Sequence, residues 1–139
     1  MKKMNIALIA HDVRMELMVQ FCIAYKGILS KHNLCATATT GKMVADAAGF
    51  GRIVTFLSGD QGGYQQIASR VSCGEIDMVI FFRDAAHPDK IGKAEEDILR
   101  LCDVHTVPYA TNAATAESLI RGLERGDLDW RSLGNRPVI

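Results

Sequence analysis

Five short apolar runs recur along the chain, and within each run the apolar residues follow one another without alternation. Continuous runs of this length are typical of strands that are covered on both faces, as in a parallel sheet. We therefore predict strands at residues 5–10, 34–38, 53–57, 77–82 and 107–110.

Between these runs, apolar residues recur mostly at steps of three and four, which is the period of an amphipathic helix. Met15, Met18, Phe21 and Cys22 show this spacing in the first segment. Helices are predicted at residues 13–30, 41–48, 63–73, 95–103 and 114–124. The alternation of strand and helix predicts an α/β fold: a single doubly wound (Rossmann-like) domain with about five mainly parallel strands and helices on both faces.

The end of the chain lacks a clear hydrophobic period. Residues 126–139 mix Asp, Arg, Gly and Pro with an isolated Trp130. We predict that the domain spans residues 1–125 and that residues 126–139 form a C-terminal tail. Trp130 and Val138 are the residues through which this tail could dock on a neighbouring subunit.

Composition narrows the class of protein. The chain has 139 residues, of which 48% are hydrophobic, enough for one core. The 16 Lys and Arg residues balance the 16 Asp and Glu residues, so charge predicts neither nucleic acid nor an anionic membrane as a partner. The apolar start, Ile6 to Ala10, is too short for a signal peptide or a membrane span. We expect a soluble, cytoplasmic protein.

The four cysteines, Cys22, Cys35, Cys73 and Cys102, are widely separated and form no CxxC motif. In a chain with a sizeable core, such cysteines are typically buried thiols rather than disulfides or zinc ligands. We predict no metal site and no cofactor.

Candidate chemistry falls on the residues that follow the strands, because ligands of open α/β sheets bind outside the carboxyl ends of the strands. Thr37, Ala38, Thr39, Thr40 and Gly41 follow the second strand and precede a helix. Hydroxyl groups and free N–H groups at the start of a helix favour an anion such as phosphate. In the alternative interpretation, Thr39 or Thr40 only caps the helix.

A second turn of the same kind follows the third strand. Ser58 supplies a hydroxyl group, Gly59 permits close approach of the backbone, and Gly62 and Gly63 open the next helix. Ordinary turn chemistry is the alternative. Two such turns at neighbouring strand ends together predict a site for a small phosphate-bearing ligand.

Titratable residues follow the first and fourth strands. His11 is able to donate a hydrogen bond to a phosphate or carbonyl oxygen. Asp12 either caps the following helix or contributes a carboxylate to the site, and Asp84 has the same two interpretations.

Taken together, these segments resemble the methylglyoxal synthase family, which carries in order ALxAHD, ATGTTG, LSGPxGGDQQ, IDxxIFFxD, LLRLCD and ATNxATAE. The matching segments are residues 7–12, 36–41, 57–66, 76–84, 98–103 and 110–117, and the resemblance runs from about residue 6 to residue 123. It implies a doubly wound fold, a homohexamer, and neither metal nor organic cofactor.

The resemblance also implies a reaction, in which dihydroxyacetone phosphate gives methylglyoxal and phosphate. A carboxylate removes a proton alpha to the carbonyl, and the resulting ene-diolate phosphate expels phosphate. The expected partner is therefore a small phosphorylated metabolite or inorganic phosphate. The family's contacts to the substrate phosphate match His11, Thr37, Thr39, Thr40, Ser58 and Gly59.

The chain departs from the family at the reacting end. The family's base, the Asp of GGDQQ, is Tyr64 here, and a phenol that titrates near ~10 is a poor base at neutral pH. The family's phosphate-binding Lys, four residues after the motif His, is Met15. We therefore expect a binding protein whose lyase activity is lost or altered.

Two alternatives stay open. One is an active, divergent lyase that uses Asp60, Asp84 or the segment from His87 to Asp89, and the other is a regulatory ligand-binding subunit. Asp60 stands in place of a family Pro, four residues before Tyr64.

The position of the family's His and Asp from its PHxPD segment depends on the alignment. Without gaps they fall on Ile91 and Ala94, whereas a shifted alignment places His87 and Asp89 there. We favour the alignment without gaps.

Overall fold

The structure is a computed structural model that describes residues 3–132. The predicted docking residue Val138 lies outside the described residues. Among residues 3–132, no helix is both long enough and apolar enough to cross a membrane.

Within the described residues, five parallel strands form one sheet in the order β3-β2-β1-β4-β5. This sheet confirms the predicted α/β fold class. The two central strands pair over five positions, from Ile6 opposite Met78 to Ala10 opposite Phe82. The strands are β1 (Asn5–Ala10), β2 (Asn33–Ala36), β3 (Val54–Thr55), β4 (Met78–Phe82) and β5 (Tyr109–Ala110).

In the part of the chain that the structure describes, six α-helices connect and cover the strands. They are α1 (Met15–Ala24), α2 (Lys26–Leu29), α3 (Ala38–Ala48), α4 (Gly63–Ser72), α5 (Lys93–Val104) and α6 (Ala113–Arg125). The single helix predicted over residues 13–30 is two helices, because the chain leaves the helical conformation at Tyr25 (φ −108°, ψ 20°). Helix α3 begins at Ala38 rather than at residue 41, so residues 38–40 form its first turn.

The core has two layers, one on each face of the sheet. Along β1, Ile6 and Leu8 face one layer while Ala7 and Ile9 face the other, as the two-residue period of a strand requires. The first layer packs against α1, α3 and α6, and the second packs against α4 and α5. Burial of each aliphatic side chain stabilises the fold by about 1.5–3 kcal/mol.

The cysteines behave as core residues with one exception. Cys22, Cys35 and Cys102 are buried free thiols, and burial raises the pKa of each to about 12. Cys73 is exposed, so the prediction of a buried thiol is wrong there. It follows the last turn of α4, where the chain turns at Gly74 (φ 76°) and leaves the core.

Helix α6 ends at Arg125, and Gly126 follows in the left-handed conformation (φ 85°). A short 3₁₀ helix then spans Asp129–Ser132, in which Trp130 is 55% exposed. Arg131 donates a hydrogen bond to the carbonyl oxygen of Thr106. The first part of the predicted tail therefore contacts the body of the domain.

Candidate functional site

A cleft of about 900 Å³ opens outside the carboxyl ends of the strands. It lies where the strand order reverses, between β1 and β4, the usual ligand position in this class of sheet. The predicted site residues that line it are His11, Asp12, Thr37, Thr39, Thr40, Ser58, Gly59, Asp60, Tyr64 and Asp84. Those that do not line it are Ala38, Gly41, Gly62, Gly63, His87 and Asp89.

The first turn of α3 forms one wall of the cleft. Thr37 is the residue before the helix, and its side chain makes no capping hydrogen bond. Thr39 and Thr40 lie inside the helix, so the interpretation that either of them caps it is wrong. The first N–H groups of a helix have no partner within the helix and lie at the positive end of its dipole. This wall therefore presents hydrogen-bond donors to the cleft.

The hydroxyl group of Thr40 ties this turn to the sheet. Its Oγ1 accepts a hydrogen bond from the backbone N–H of Ala10 (3.2 Å) and one from the hydroxyl of Thr37 (3.3 Å). Because a hydroxyl oxygen has two acceptor positions and one proton, the proton of Thr40 remains for donation. Thr37 and Thr40 are buried, whereas Thr39 is exposed at the cleft.

The three predicted site glycines outside the cleft are required by close packing or by backbone conformation. A Cβ atom at Gly41 would lie 2.5 Å from Cγ2 of Thr55, so α3 packs directly on the sheet there. A Cβ atom at Gly63 would lie 2.0 Å from the carbonyl oxygen of Leu57. Gly62 has φ 105°, a conformation that other residues rarely adopt.

Tyr64 fills the space above the turn at Ser58 and Gly59. A Cβ atom at Gly59 would lie within 2.7 Å of three atoms of the Tyr64 phenol, so the ring lies directly against this glycine. On its other side the ring stacks on Phe81, with centroids 5.8 Å apart. Burial, the negative charge of Glu95 and a hydrogen bond with Glu95 raise the pKa of Tyr64 well above its ordinary value. The phenol therefore keeps its proton and acts as a donor.

Glu95 is a candidate site residue that was not predicted from the sequence. It lies in the first turn of α5, is only 6% exposed, and lines the cleft. Its Oε2 accepts a hydrogen bond from the backbone N–H of Gly92 (2.8 Å), which caps the helix. Its Oε1 lies 2.5 Å from Nε2 of His11. The spacing from Gly92 to Glu95 predicts capping, but no sequence signal relates Glu95 to His11.

The tautomer of His11 follows from its contacts. The backbone N–H of Asp84 donates to Nδ1 of His11 (2.8 Å), so Nδ1 carries no proton. Nε2 therefore carries the proton and donates a hydrogen bond to Glu95. The ring also packs edge-on against Phe81, with centroids 5.4 Å apart. Both nitrogens of His11 are thus engaged within the protein.

The carboxylate of Asp84 pairs with His87 at the rim of the cleft. Nδ1 of His87 lies 2.8 Å from Oδ2 of Asp84, and this hydrogen bond is the main reason that the pKa of Asp84 is lowered. His87 and Asp89 are exposed and do not line the cleft, whereas Ala94 does.

The charges around the cleft are mainly negative. Asp12, Asp60, Asp84 and Glu95 line it, and the cationic residues among the lining are Lys90 and Lys93. Nζ of Lys93 pairs with Asp97 (3.0 Å). Neither lysine was predicted from the sequence. Met15, in the position of the family Lys, also lines the cleft.

Asp12 lies in the 3₁₀ turn Asp12–Arg14, in which His11 holds the cap position. Its side chain therefore does not cap the helix that follows. Among residues 3–132, no group of three His, Cys, Asp or Glu residues is arranged to hold a metal ion.

Comparison with known proteins gives a consistent result. Residues 17–111 match the family model described as the MGS-like domain. The chain is 56% identical over 132 residues to the methylglyoxal synthase of Caldicellulosiruptor saccharolyticus, covering 95% of this chain and 93% of that protein. It is 51% identical over 130 residues to the methylglyoxal synthase of Oceanobacillus iheyensis, covering 94% and 92%.

A solved structure is similar over most of the fold. The crystal structure of methylglyoxal synthase from Elizabethkingia anophelis NUHP1 matches with a TM-score of 0.78 and 37% sequence identity. The match covers 85% of this chain and 77% of that chain.

Proposed function

The chain belongs to the methylglyoxal synthase family, and we propose that its cleft binds a small phosphate-bearing metabolite of the triose phosphate class. The observation that supports binding is the start of α3, where the N–H of Ala38 bonds to the carbonyl oxygen of Leu57 but Thr37 leaves those of Thr39 and Thr40 uncapped beside the cleft. The proton of Thr40 and the turn at Ser58 and Gly59 add donors on the same side. Such groups favour a phosphate over a neutral ligand.

We further propose that turnover of dihydroxyacetone phosphate is strongly reduced. The reaction implied by the resemblance needs a carboxylate that removes a proton alpha to the carbonyl, and Tyr64 stands in its position. The raised pKa of Tyr64 keeps the phenol protonated, so it cannot accept that proton near neutral pH. Loss of a proton-transfer group lowers a rate by about 10² to 10⁴. Met15, in place of the family Lys, removes a cation as well.

A second candidate function is an active, divergent lyase. It is favoured by the carboxylate of Glu95, which contacts His11 and lines the same cleft as Tyr64. Asp60 and Asp84 also line the cleft. In this version one of these carboxylates takes the proton from the carbon next to the carbonyl. The ene-diolate then expels phosphate, and the elimination product rearranges to methylglyoxal.

Assembly and location follow from the resemblance as proposals. We propose a cytoplasmic homohexamer in which the tail, residues 126–139, docks on a neighbouring subunit. The exposed Trp130 supports such a contact, since large aromatic side chains are enriched at interfaces. A regulatory role, in which ligand binding is the whole function, would need no catalytic carboxylate.

Calorimetric titration with inorganic phosphate and with dihydroxyacetone phosphate tests the binding proposal. Thr39→Glu places a negative charge on the exposed cleft wall, and we expect it to abolish binding. Thr115→Glu makes the same change in the first turn of α6, outside the cleft, and is the matched control. Absence of binding to the unsubstituted protein would overturn the proposal.

The same preparations test turnover. Release of methylglyoxal and phosphate from dihydroxyacetone phosphate is measured beside the relative from Caldicellulosiruptor saccharolyticus. We expect a rate lower by a factor of about 10² or more. Comparable rates would establish the second candidate instead.

A further inference from the structure

We infer that Glu95 is a specificity-determining residue that occupies the donor nitrogen of His11 and so weakens the binding of anions in the cleft. The inference rests on the proposed function, because it concerns the same phosphate-binding cleft. It adds a residue from α5 to a site that the sequence motifs place only at the strand ends.

His11 has one ring nitrogen that is able to donate a hydrogen bond. Its Nδ1 accepts the N–H of Asp84, so Nε2 is the nitrogen that carries a proton. That proton is directed to Oε1 of Glu95, 2.5 Å away. A ligand phosphate that takes a hydrogen bond from His11 must therefore displace Glu95 or share Nε2 with it.

Hydrogen bonds hold the carboxylate of Glu95 in place. Its Oε1 accepts a hydrogen bond from Nε2 of His11, and its Oε2 accepts one from the backbone N–H of Gly92. Gly92 and Glu95 belong to the start of α5, so moving this carboxylate away also uncaps a helix. The contact between Glu95 and His11 is therefore present without a ligand, and a phosphate must compete with Glu95 for Nε2.

The negative charge of Glu95 also affects the binding of an anion. Glu95 is almost fully buried, and its carboxylate lines the same cleft as the donors of α3. Like charges at a binding surface disfavour association, and poorly solvated groups are screened least by salt. A phosphate dianion near His11 therefore meets both an occupied donor and a repelling charge. Both effects weaken anion binding, and removal of the charge on Glu95 relieves both.

The variant Glu95→Gln tests this inference by a gain of affinity, which damage to the fold does not produce. Gln still accepts a hydrogen bond from the N–H of Gly92 at this helix position, so the cap is retained. Calorimetric titration with inorganic phosphate is expected to show binding about tenfold tighter than in the unsubstituted protein. The matched control is Glu96→Gln, which removes the same charge from the next residue, outside the cleft lining. We expect its affinity to stay within about twofold.

A double-mutant cycle tests whether the gain passes through His11. His11→Asn keeps an acceptor for the N–H of Asp84, since the amide oxygen replaces Nδ1, but removes Nε2. In that background Glu95→Gln is expected to lose most of its tenfold gain. An undiminished gain would show that His11 plays no part and would overturn the assigned contact.

The outcomes separate this inference from the proposed function. If the unsubstituted protein binds phosphate and Glu95→Gln binds it equally or more weakly, the inference is wrong while the proposed function stands. If no variant binds phosphate although thermal unfolding shows each one to be folded, the proposed function and the inference both fail. Both are supported if the unsubstituted protein binds phosphate and Glu95→Gln, but not Glu96→Gln, binds it more tightly.

Discussion

The two sides of the cleft are built in different ways. The phosphate side consists of turns that are local in sequence, with Thr37, Thr40 and Ser58 each close to the end of a strand. The reacting side joins His11 to Glu95, which are 84 residues apart in the chain. By the resemblance, the phosphate side retains the hydroxyl and glycine residues of the family motifs but has Met15 in place of their Lys, whereas the reacting side has Tyr64 in place of a carboxylate.

This difference shows that the two sides depend on different physics. Turns at strand ends supply backbone donors whatever stands opposite them, so the phosphate side depends mainly on the fold. Proton transfer needs one group of suitable pKa at one place, and a single substitution removes it. This is the basis of our proposal that the protein keeps a binding site while the reaction is strongly reduced.

The largest expected effect comes from restoring a carboxylate on the reacting side. Tyr64→Asp places a group with an ordinary pKa near ~3.9 where the phenol now stands. We expect release of methylglyoxal from dihydroxyacetone phosphate to rise by about 10²-fold or more. Adding Met15→Lys supplies a cation beside the cleft and is expected to raise the rate again.

Tyr64→Phe is the control for this change, because it keeps the ring against Gly59 and Phe81 and removes only the hydroxyl. It is expected to leave turnover at the level of the unsubstituted protein. A protein that is already fully active, or one that loses activity in Tyr64→Phe, would contradict the division between the two sides.

The phosphate side is expected to contribute to stability as well as to binding. Thr40→Val keeps the shape of the side chain but leaves the buried N–H of Ala10 without its acceptor. A buried donor without a partner destabilises a protein by about 1–3 kcal/mol. Urea denaturation measures the change. Thr39→Val, at an exposed neighbour, should stay within about 0.5 kcal/mol; equal losses in the two variants would contradict the assigned hydrogen bond.

A smaller effect joins the two sides at Gly59. Gly59→Ala brings a methyl group against the Tyr64 phenol and is expected to displace that ring, destabilising the protein by about 1 kcal/mol. The loss should be much smaller in a Tyr64→Ala background, where the ring is absent. Thermal unfolding of the four proteins measures this coupling. Additive losses would mean that the ring does not rest on Gly59.

The smallest effect concerns the rim. His87 holds the pKa of Asp84 below its ordinary value, so this contact stabilises the fold above that value and is lost as pH falls through the lower pKa of the folded state. His87→Ala should therefore raise the pKa of Asp84, as measured by NMR titration. The unfolding free energies of the two proteins should converge in acid. His105→Ala, at another exposed histidine, is the control, and an equal shift there would contradict the pairing.

Much of the fold could be predicted from the sequence, because buried positions produce a periodic pattern of apolar residues along the chain. The central strand was predicted with its observed bounds, residues 5–10, since both of its faces are buried. The edge strand at Val54–Thr55 is shorter than predicted, because apolar residues extend beyond the positions that pair with β2. The start of α3 was predicted three residues too late because residues 37–40 were assigned to a ligand-binding turn, whereas residues 38–40 form the first turn of the helix.

The sequence by itself determined the element order and the two hydroxyl-rich turns, and it has Tyr64 where the resemblance implies a carboxylate. Only the tertiary structure decided that Glu95 reaches His11, that Tyr64 lies over Gly59, and that Thr40 bonds to the first strand. Hydrophobic periodicity encodes which face of an element is buried, but it does not specify the partner of a polar atom. That partner depends on where distant segments meet after the sheet has formed.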